Sequence, residues 1–151
     1  MRKDFQKIDR KNPKTNGELL YLRYSTKGIR GEAQKGFPSV RTISLPKLRA
    51  SFSSGQTENE AYLNKHLTLM AYVDDTNVLS RTNPLVQGYV KTAAAQFLKL
   101  GGASTSQGMD ALKKLNKKFI QMNVSPGGCA DLLAVTILLY RLEQRNPQPG
   151  A

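Results

Sequence analysis

The chain has 151 residues and a formal net charge of +12, enough for one hydrophobic core and too short for two independent ones. Its longest apolar stretch, residues 132–140, falls well short of the ~20 residues that cross a bilayer, and the basic, polar start MRKDFQKIDRK is not followed by the apolar segment of a secretory signal, so no membrane partner is expected. The single cysteine, Cys129, has no partner for an internal disulfide and completes no cluster of metal ligands, so a reducing cytoplasm is the expected compartment.

Residues 1–13 read as a basic arm or short helix anchored only by Phe5 and Ile8. A first helix is expected over residues 17–24, capped by Thr15 or Asn16, with Glu18 in its first turn. Glycines 28, 31 and 36 and prolines 38 and 46 then break the pattern so often that residues 26–46 are expected to form a long ordered loop.

The recurrence of Leu63, Leu67, Met70 and Ala71 predicts a helix over residues 57–80. Another starts at Asn83 and Pro84, carries a broad apolar stripe through Leu98 and stops at Gly101 and Gly102. The next begins at Ser106 and turns Lys113, Lys114, Lys117 and Lys118 to solvent. The last opens after Gly128, runs to about residue 144, and is apolar on more than one side, which predicts a central position. The expected fold is thus an all-α bundle of about five helices, with a body over residues 14–145 and a tail over 146–151.

The charge is uneven. Residues 1–49 hold 13 Lys+Arg against 4 Asp+Glu, whereas the remainder holds 10 against 7, so the first third faces an anion: nucleic acid, an anionic surface or a highly phosphorylated ligand. Few aromatics accompany the basic residues and no nucleic-acid motif is present, so no nucleic-acid partner is expected.

Three elements carry polar chemistry. Ser125-Pro126-Gly127-Gly128 is a turn feeding a helix, and its paired glycines open backbone amides to a phosphate; the same pattern also serves as a plain helix start, with Asp131 acting on the helix dipole. Asp131 would repel a bare phosphate, which a bridging magnesium ion would reconcile. In Gly28-Ile29-Arg30-Gly31-Glu32, Arg30 offers a planar fork for phosphate oxygens, and Glu32 is either a base or a salt-bridge partner. Asp74 and Asp75 precede Thr76 and Asn77; on a continuous helix Asp74, Asn77 and Arg81 share a face, with Asp75 turned about 100° away. Either aspartate is a candidate cation ligand. His66 and Cys129 have no partners for nucleophilic catalysis and read as packing residues.

Taken in order, GELLYLRYSTKGIRGEAQKGFPSV, LMAYVDDTNVLSR and NVSPGGCADLLAVTILLYRLE resemble the C-terminal half of the triphosphoribosyl-dephospho-coenzyme A synthase family, which serves citrate lyase and malonate decarboxylase. The resemblance spans roughly residues 14–143 and implies an all-helical enzyme. Its substrates would be ATP and 3'-dephospho-coenzyme A, its products the triphosphoribosyl conjugate and adenine, and magnesium its metal.

By motif position the resemblance implies Glu32 and Asp131 as catalytic carboxylates, and Asp74 and Asp75 as metal ligands. Arg30, Gly31, Asn77, Arg81, Ser125, Gly127 and Gly128 would bind phosphate and substrate. The sequence departs from the family at Asn16, where histidine is common, at Thr82 and Asn83, where two glycines are usual, and at Cys129, where serine is frequent. The family's N-terminal motifs are absent. The expectation is therefore a fragment or one part of a split enzyme, completed by another chain or by self-association, with a non-catalytic nucleotide- or partner-binding remnant as the alternative.

Overall fold

The computed structural model describes residues 8–145, so residues 1–7 of the expected arm and the whole expected tail, residues 146–151, lie outside the described residues. Residues 8–15 are irregular. Eight α-helices follow, with no strand among the described residues, and the all-α expectation holds.

Helix α1, Asn16–Tyr24, begins where expected, with the Thr15 hydroxyl accepting from the Glu18 amide at 3.2 Å. It ends at Ser25, whose φ of 54° turns the chain into the left-handed region. The glycine- and proline-rich stretch is where the structure departs most from the expected loop. It contains α2, Gly28–Gln34, a π-helical turn, Val40–Ser44, and α3, Leu45–Ser53. Proline at the second position of α3 costs nothing there, because first-turn amides need no intrahelical acceptor.

The helix expected over residues 57–80 is two helices. Helix α4, Glu58–Tyr72, opens on a capping box in which Thr57 and Glu60 satisfy each other's amides. The chain then runs extended through Val73 before α5, Thr76–Arg81. Gln87 holds this break open from the side: its carbonyl accepts from the Asp75 amide at 3.3 Å and its amide donates to the Val73 carbonyl at 3.5 Å.

Helix α6, Pro84–Lys99, is capped by Asn83, and α7, Ser106–Gln121, by Thr105. A 3₁₀ turn, Gly102–Ser104, joins them and is tied to α4 by Asn64, whose side-chain carbonyl accepts from the Ala103 amide at 2.7 Å. Helix α8, Gly127–Arg145, completes the fold.

Helix α4, not α8, occupies the centre. It packs against α3, α6 and α8, and its consecutive residues Leu67, Thr68, Leu69 and Met70 are all buried. Helix α8 buries one stripe, Cys129, Leu132 and Thr136, and leaves Leu138 56% exposed. Its apolar character on several sides is therefore not matched by burial on several sides. The core joins Leu67, Leu69 and Met70 to Val40, Val78, Val90, Phe97, Phe119 and Leu132. Leu132 is wholly buried, so Leu132→Ala should cost about 2–5 kcal/mol in urea unfolding. Leu138→Ala should cost well under half of that.

Candidate functional site

The three motif blocks, distant in sequence, meet at residues 75–77. The Asp75 side chain caps α5 by accepting from the Asn77 amide at 2.8 Å, and its other oxygen accepts from the Cys129 amide of α8 at 2.8 Å. Asp75 is 2% exposed. A buried carboxylate needs such donors, and two amides at the positive ends of helices supply them.

Glycines make the approach possible. A Cβ at Gly127 would lie 2.6 Å from Asn77 Nδ2, and one at Gly128 would lie 3.3 Å from the Asp75 carboxylate. A Cβ at Gly28, where φ is 51°, would lie 2.6 Å from the Thr76 methyl. These glycines give room to neighbouring side chains of the protein itself.

This arrangement redistributes the expected roles. The break at Val73 removes the helical face that Asp74, Asn77 and Arg81 were expected to share. Asp75 turns inward to the amides, whereas Asp74 points outward and pairs with Lys91 at 2.6 Å. The two aspartates therefore do not converge on one cation. Among the described residues no group of three His, Cys, Asp or Glu side chains is placed to hold a metal. The Ser125-to-Gly128 turn is half-buried against Asp75 and Asn77: the Ser125 carbonyl accepts from the Gly127 amide at 2.9 Å, and Asp75 takes the Cys129 amide. Asp131 is exposed, on the second turn of α8, beyond the reach of the first-turn dipole expected for it.

What the structure does bring together is a cleft of about 410 Å³ in which Glu32 and Gly31 of the first block face Asp74 of the second. Lys27, Lys35 and Ser39 line it as well, with Tyr24 and Tyr72 as aromatic walls. Glu32 is fixed from α2 onto the following turn: its oxygens accept from the Ser39 hydroxyl at 2.7 Å and the Ser39 amide at 3.0 Å. A carboxylate held this way keeps free lone pairs for a ligand in the cleft. A second cleft of about 300 Å³, floored by Leu79, Pro84 and Gln87, adjoins the first and shares Tyr24, Thr26 and Asp74 with it. Asp74 stands on the ridge between the two.

Arg30, Asn77, Arg81, Ser125, Gly127, Gly128 and Asp131 do not line the first cleft. Sequence reasoning missed Lys27, Lys35, Ser39, Tyr24, Tyr72 and Lys91. Ser39 carried a signal, since GFPSV closes the first motif block. Lys91 carried none, because its role depends on α6 packing beside the break.

Two groups outside the cleft are chemically quiet. The buried Cys129 thiol is pushed up by desolvation and by the neighbouring Asp75 carboxylate, and is inert as a nucleophile at neutral pH. Burial pushes His66 below its usual 6.5, against the opposing pulls of the Pro126 carbonyl and Asp75. It lines a separate, largely apolar cavity of about 480 Å³ between α4 and α7.

Two predictions follow from this geometry. Asp75→Asn keeps the shape but sets an amide donor against a helix amide, and should lower unfolding free energy by about 2–3 kcal/mol in denaturant titration. For His66, the unfolded state binds its proton more readily than the folded state, so the stability it contributes is complete above pH 6.5 and is lost as pH falls below that value. His66→Gln should therefore show a shallower loss of melting temperature between pH 7 and pH 5 than the parent chain.

Comparison with known proteins places the chain. The family model described as ATP:dephospho-CoA triphosphoribosyl transferase matches residues 1–149. A probable 2-(5''-triphosphoribosyl)-3'-dephosphocoenzyme-A synthase of Malonomonas rubra is 40% identical over 139 residues, 92% of this chain and 44% of that protein. Its counterpart in Azotobacter vinelandii is 41% identical over 92% of this chain and 47% of its own length. The 2-(5''-triphosphoribosyl)-3'-dephosphocoenzyme-A synthase of Klebsiella pneumoniae is 40% identical over 83% of this chain and 41% of its own. The chain spans less than half the length of these curated relatives. No solved structure matches. On the family match and on these identities, the chain belongs to the ATP:dephospho-CoA triphosphoribosyl transferase family.

Proposed function

We propose that this chain contributes the acceptor-activating cleft for transfer of the triphosphoribosyl group of ATP to 3'-dephospho-coenzyme A. In that reaction the glycosidic bond between adenine and ribose breaks, and a new bond forms from the same ribose carbon to a ribose hydroxyl of the acceptor. The hydroxyl proton goes to a base and adenine departs. The observation that carries the reading is the pair of adjoining clefts with Asp74 on their shared ridge, one for each of two substrates that must meet.

Glu32 is the base in this reading, since Ser39 holds it at the wall of the larger cleft. Magnesium, carried chiefly on the triphosphate, would find one protein ligand in Asp74, whose side chain is 57% exposed. When bound it would offset charge on the phosphates. Asp75 orders the elements that present Asp74. Asp131 is outside the cleft and is left no part in the proton transfer.

No helix among the described residues is long and apolar enough to cross a membrane. A cytoplasmic site of action fits the buried free thiol of Cys129.

The test is adenine release from ATP and 3'-dephospho-coenzyme A with magnesium, by the chain alone and with the N-terminal portion of a full-length relative supplied in trans. Release in either setting is expected, and Glu32→Gln should lower it by about 10²–10⁴-fold. Undiminished release by that variant would remove Glu32 from the mechanism. No release in either setting would leave a nucleotide- or partner-binding role.

A further inference from the structure

Gly88 is a glycine that the packing of the protein does not require. It lies in the second turn of the 16-residue helix α6 and outside the left-handed region, and a Cβ placed on it would have no atom of a neighbouring element within 4 Å. Glycines 28, 127 and 128 each give room to a side chain of the protein itself. Gly88 gives room to none. Glycine inside a helix is less stable than alanine, so leaving this space open costs the fold something without improving its packing.

Gly88 lines the smaller cleft, together with Tyr24, Leu79, Pro84 and Lys91, and with Asp74 on the ridge. Lys27, Glu32, Lys35 and Ser39 give the larger cleft an ionic lining, whereas the smaller one has an aromatic side chain, two apolar ones and bare helix backbone. A flat ring of low polarity fits such walls. Gln87 also lines it, but its side-chain carbonyl and amide are bonded to Asp75 and Val73 across the break.

Lys91 adds a placed donor. Its side chain is 30% exposed, and its ammonium pairs with Asp74 Oδ1 at 2.6 Å, which fixes it at the cleft wall. An ammonium has three N–H donors, and Asp74 takes one. When an N-glycosidic bond breaks, its electron pair stays on the ring nitrogen, and the ring departs more readily as another of its nitrogens takes a proton.

We propose that the smaller cleft holds the donor's purine base, and that Lys91 gives a proton to a ring nitrogen of that base as it departs. The identity of the donor rests on the transfer reading; a subsite for a heteroaromatic ring rests on Gly88, Tyr24 and Lys91. The bond between the ribose carbon and N9 breaks with its electron pair left on the purine, and the Lys91 proton neutralises the purine at N3 or N7. The acceptor oxygen bonds to the ribose carbon as its own proton passes to Glu32. Exchange with water then returns Lys91 and Glu32 to their starting charges. The acceptor also carries an adenine, but that base stays attached and needs no proton, so a cleft with a placed proton donor suits the leaving base.

The experiment is calorimetric titration of the purified chain with free adenine, alongside thermal melts. The parent chain should bind, Gly88→Ala should bind several-fold more weakly, and Gly88→Leu at least tenfold more weakly. Both variants should melt no lower than the parent, because either residue favours the helix and meets no neighbouring element. Weaker binding by an equally stable fold separates a filled site from a damaged one. Bound adenine should be displaced by ATP and not by 3'-dephospho-coenzyme A. In the adenine-release assay, Lys91→Met should lower kcat by about 10²–10⁴-fold, and the loss should shrink for N7-methylated ATP, whose base departs without protonation.

Absence of adenine binding by the parent chain would overturn the subsite, as would parent-like binding by Gly88→Leu. Displacement of adenine by 3'-dephospho-coenzyme A would overturn the assignment to the donor, and an unchanged kcat in Lys91→Met would remove the proton transfer. Should Gly88→Leu fail to fold, Gly88→Ala decides alone. The two readings fail separately. Adenine binding that Gly88→Leu blocks, without adenine release, keeps the subsite and removes the transfer, whereas release at the parent rate by Gly88→Leu does the reverse.

Discussion

The carboxylate of Asp75 accepts the Asn77 amide at the start of α5 and the Cys129 amide at the start of α8, and almost no water reaches it. Two helices that begin 51 residues apart in the chain thus aim their positive ends at one buried negative group. Removing water from a carboxylate is costly, and each helix N-terminus has amides without intrahelical acceptors. Each deficit answers the other, so the geometry is tightly determined. Small residues around the carboxylate follow from this: Gly128 leaves it space, Gly127 admits Asn77, and Gly28 admits Thr76.

The candidate site depends on that knot. If α4 continued through residues 73–77, both aspartates would project from one helix at about 100° to each other. Because the chain instead extends at Val73 and restarts at Thr76, with Gln87 bonding both sides of the gap, Asp75 faces the core and Asp74 faces the clefts. Adjacent, chemically identical residues acquire opposite tasks. One is structural and the other is available to a ligand. The turn Ser125 to Gly128 shows the same logic, since a glycine pair opening a helix can receive a phosphate from outside or a carboxylate from inside. Here the carboxylate is internal.

Much of the architecture was legible from local chemistry. Thr15 and Asn83 are caps that announce their helices, and the lysine face of α7 marks its solvent side. The expected loop over residues 26–46 was misread because its glycines and prolines have tertiary reasons that no local pattern reveals. Gly28 is small to admit Thr76, and Pro46 sits at a helix start where it does no harm. The break within residues 57–80 was hidden for a related cause: Asp75 is a helix cap, but the apolar rhythm on either side of it reads as one helix. Glu32 and Asp74 were identifiable by residue type and motif. Their meeting in one cleft was not, and neither was Lys91, whose significance comes from what the fold places around it.

The uneven charge of the sequence takes on meaning once the cleft is located. Lys27 and Lys35 both come from the basic first third, and they line a cleft whose own carboxylates are Glu32 and Asp74. Low-dielectric walls focus such a field, which under the proposed function favours a polyanion although the lining contains acids. The lysines of α7 lie elsewhere and are occupied differently: Lys118 rests over the Tyr89 ring at 4.6 Å and Lys113 pairs with Asp110. Net charge alone would weigh both groups equally. Position separates them, because only the first group shares a concave surface with carboxylates able to take a proton or a cation, and a phosphorylated substrate that reacts at its sugar needs both kinds of group within reach.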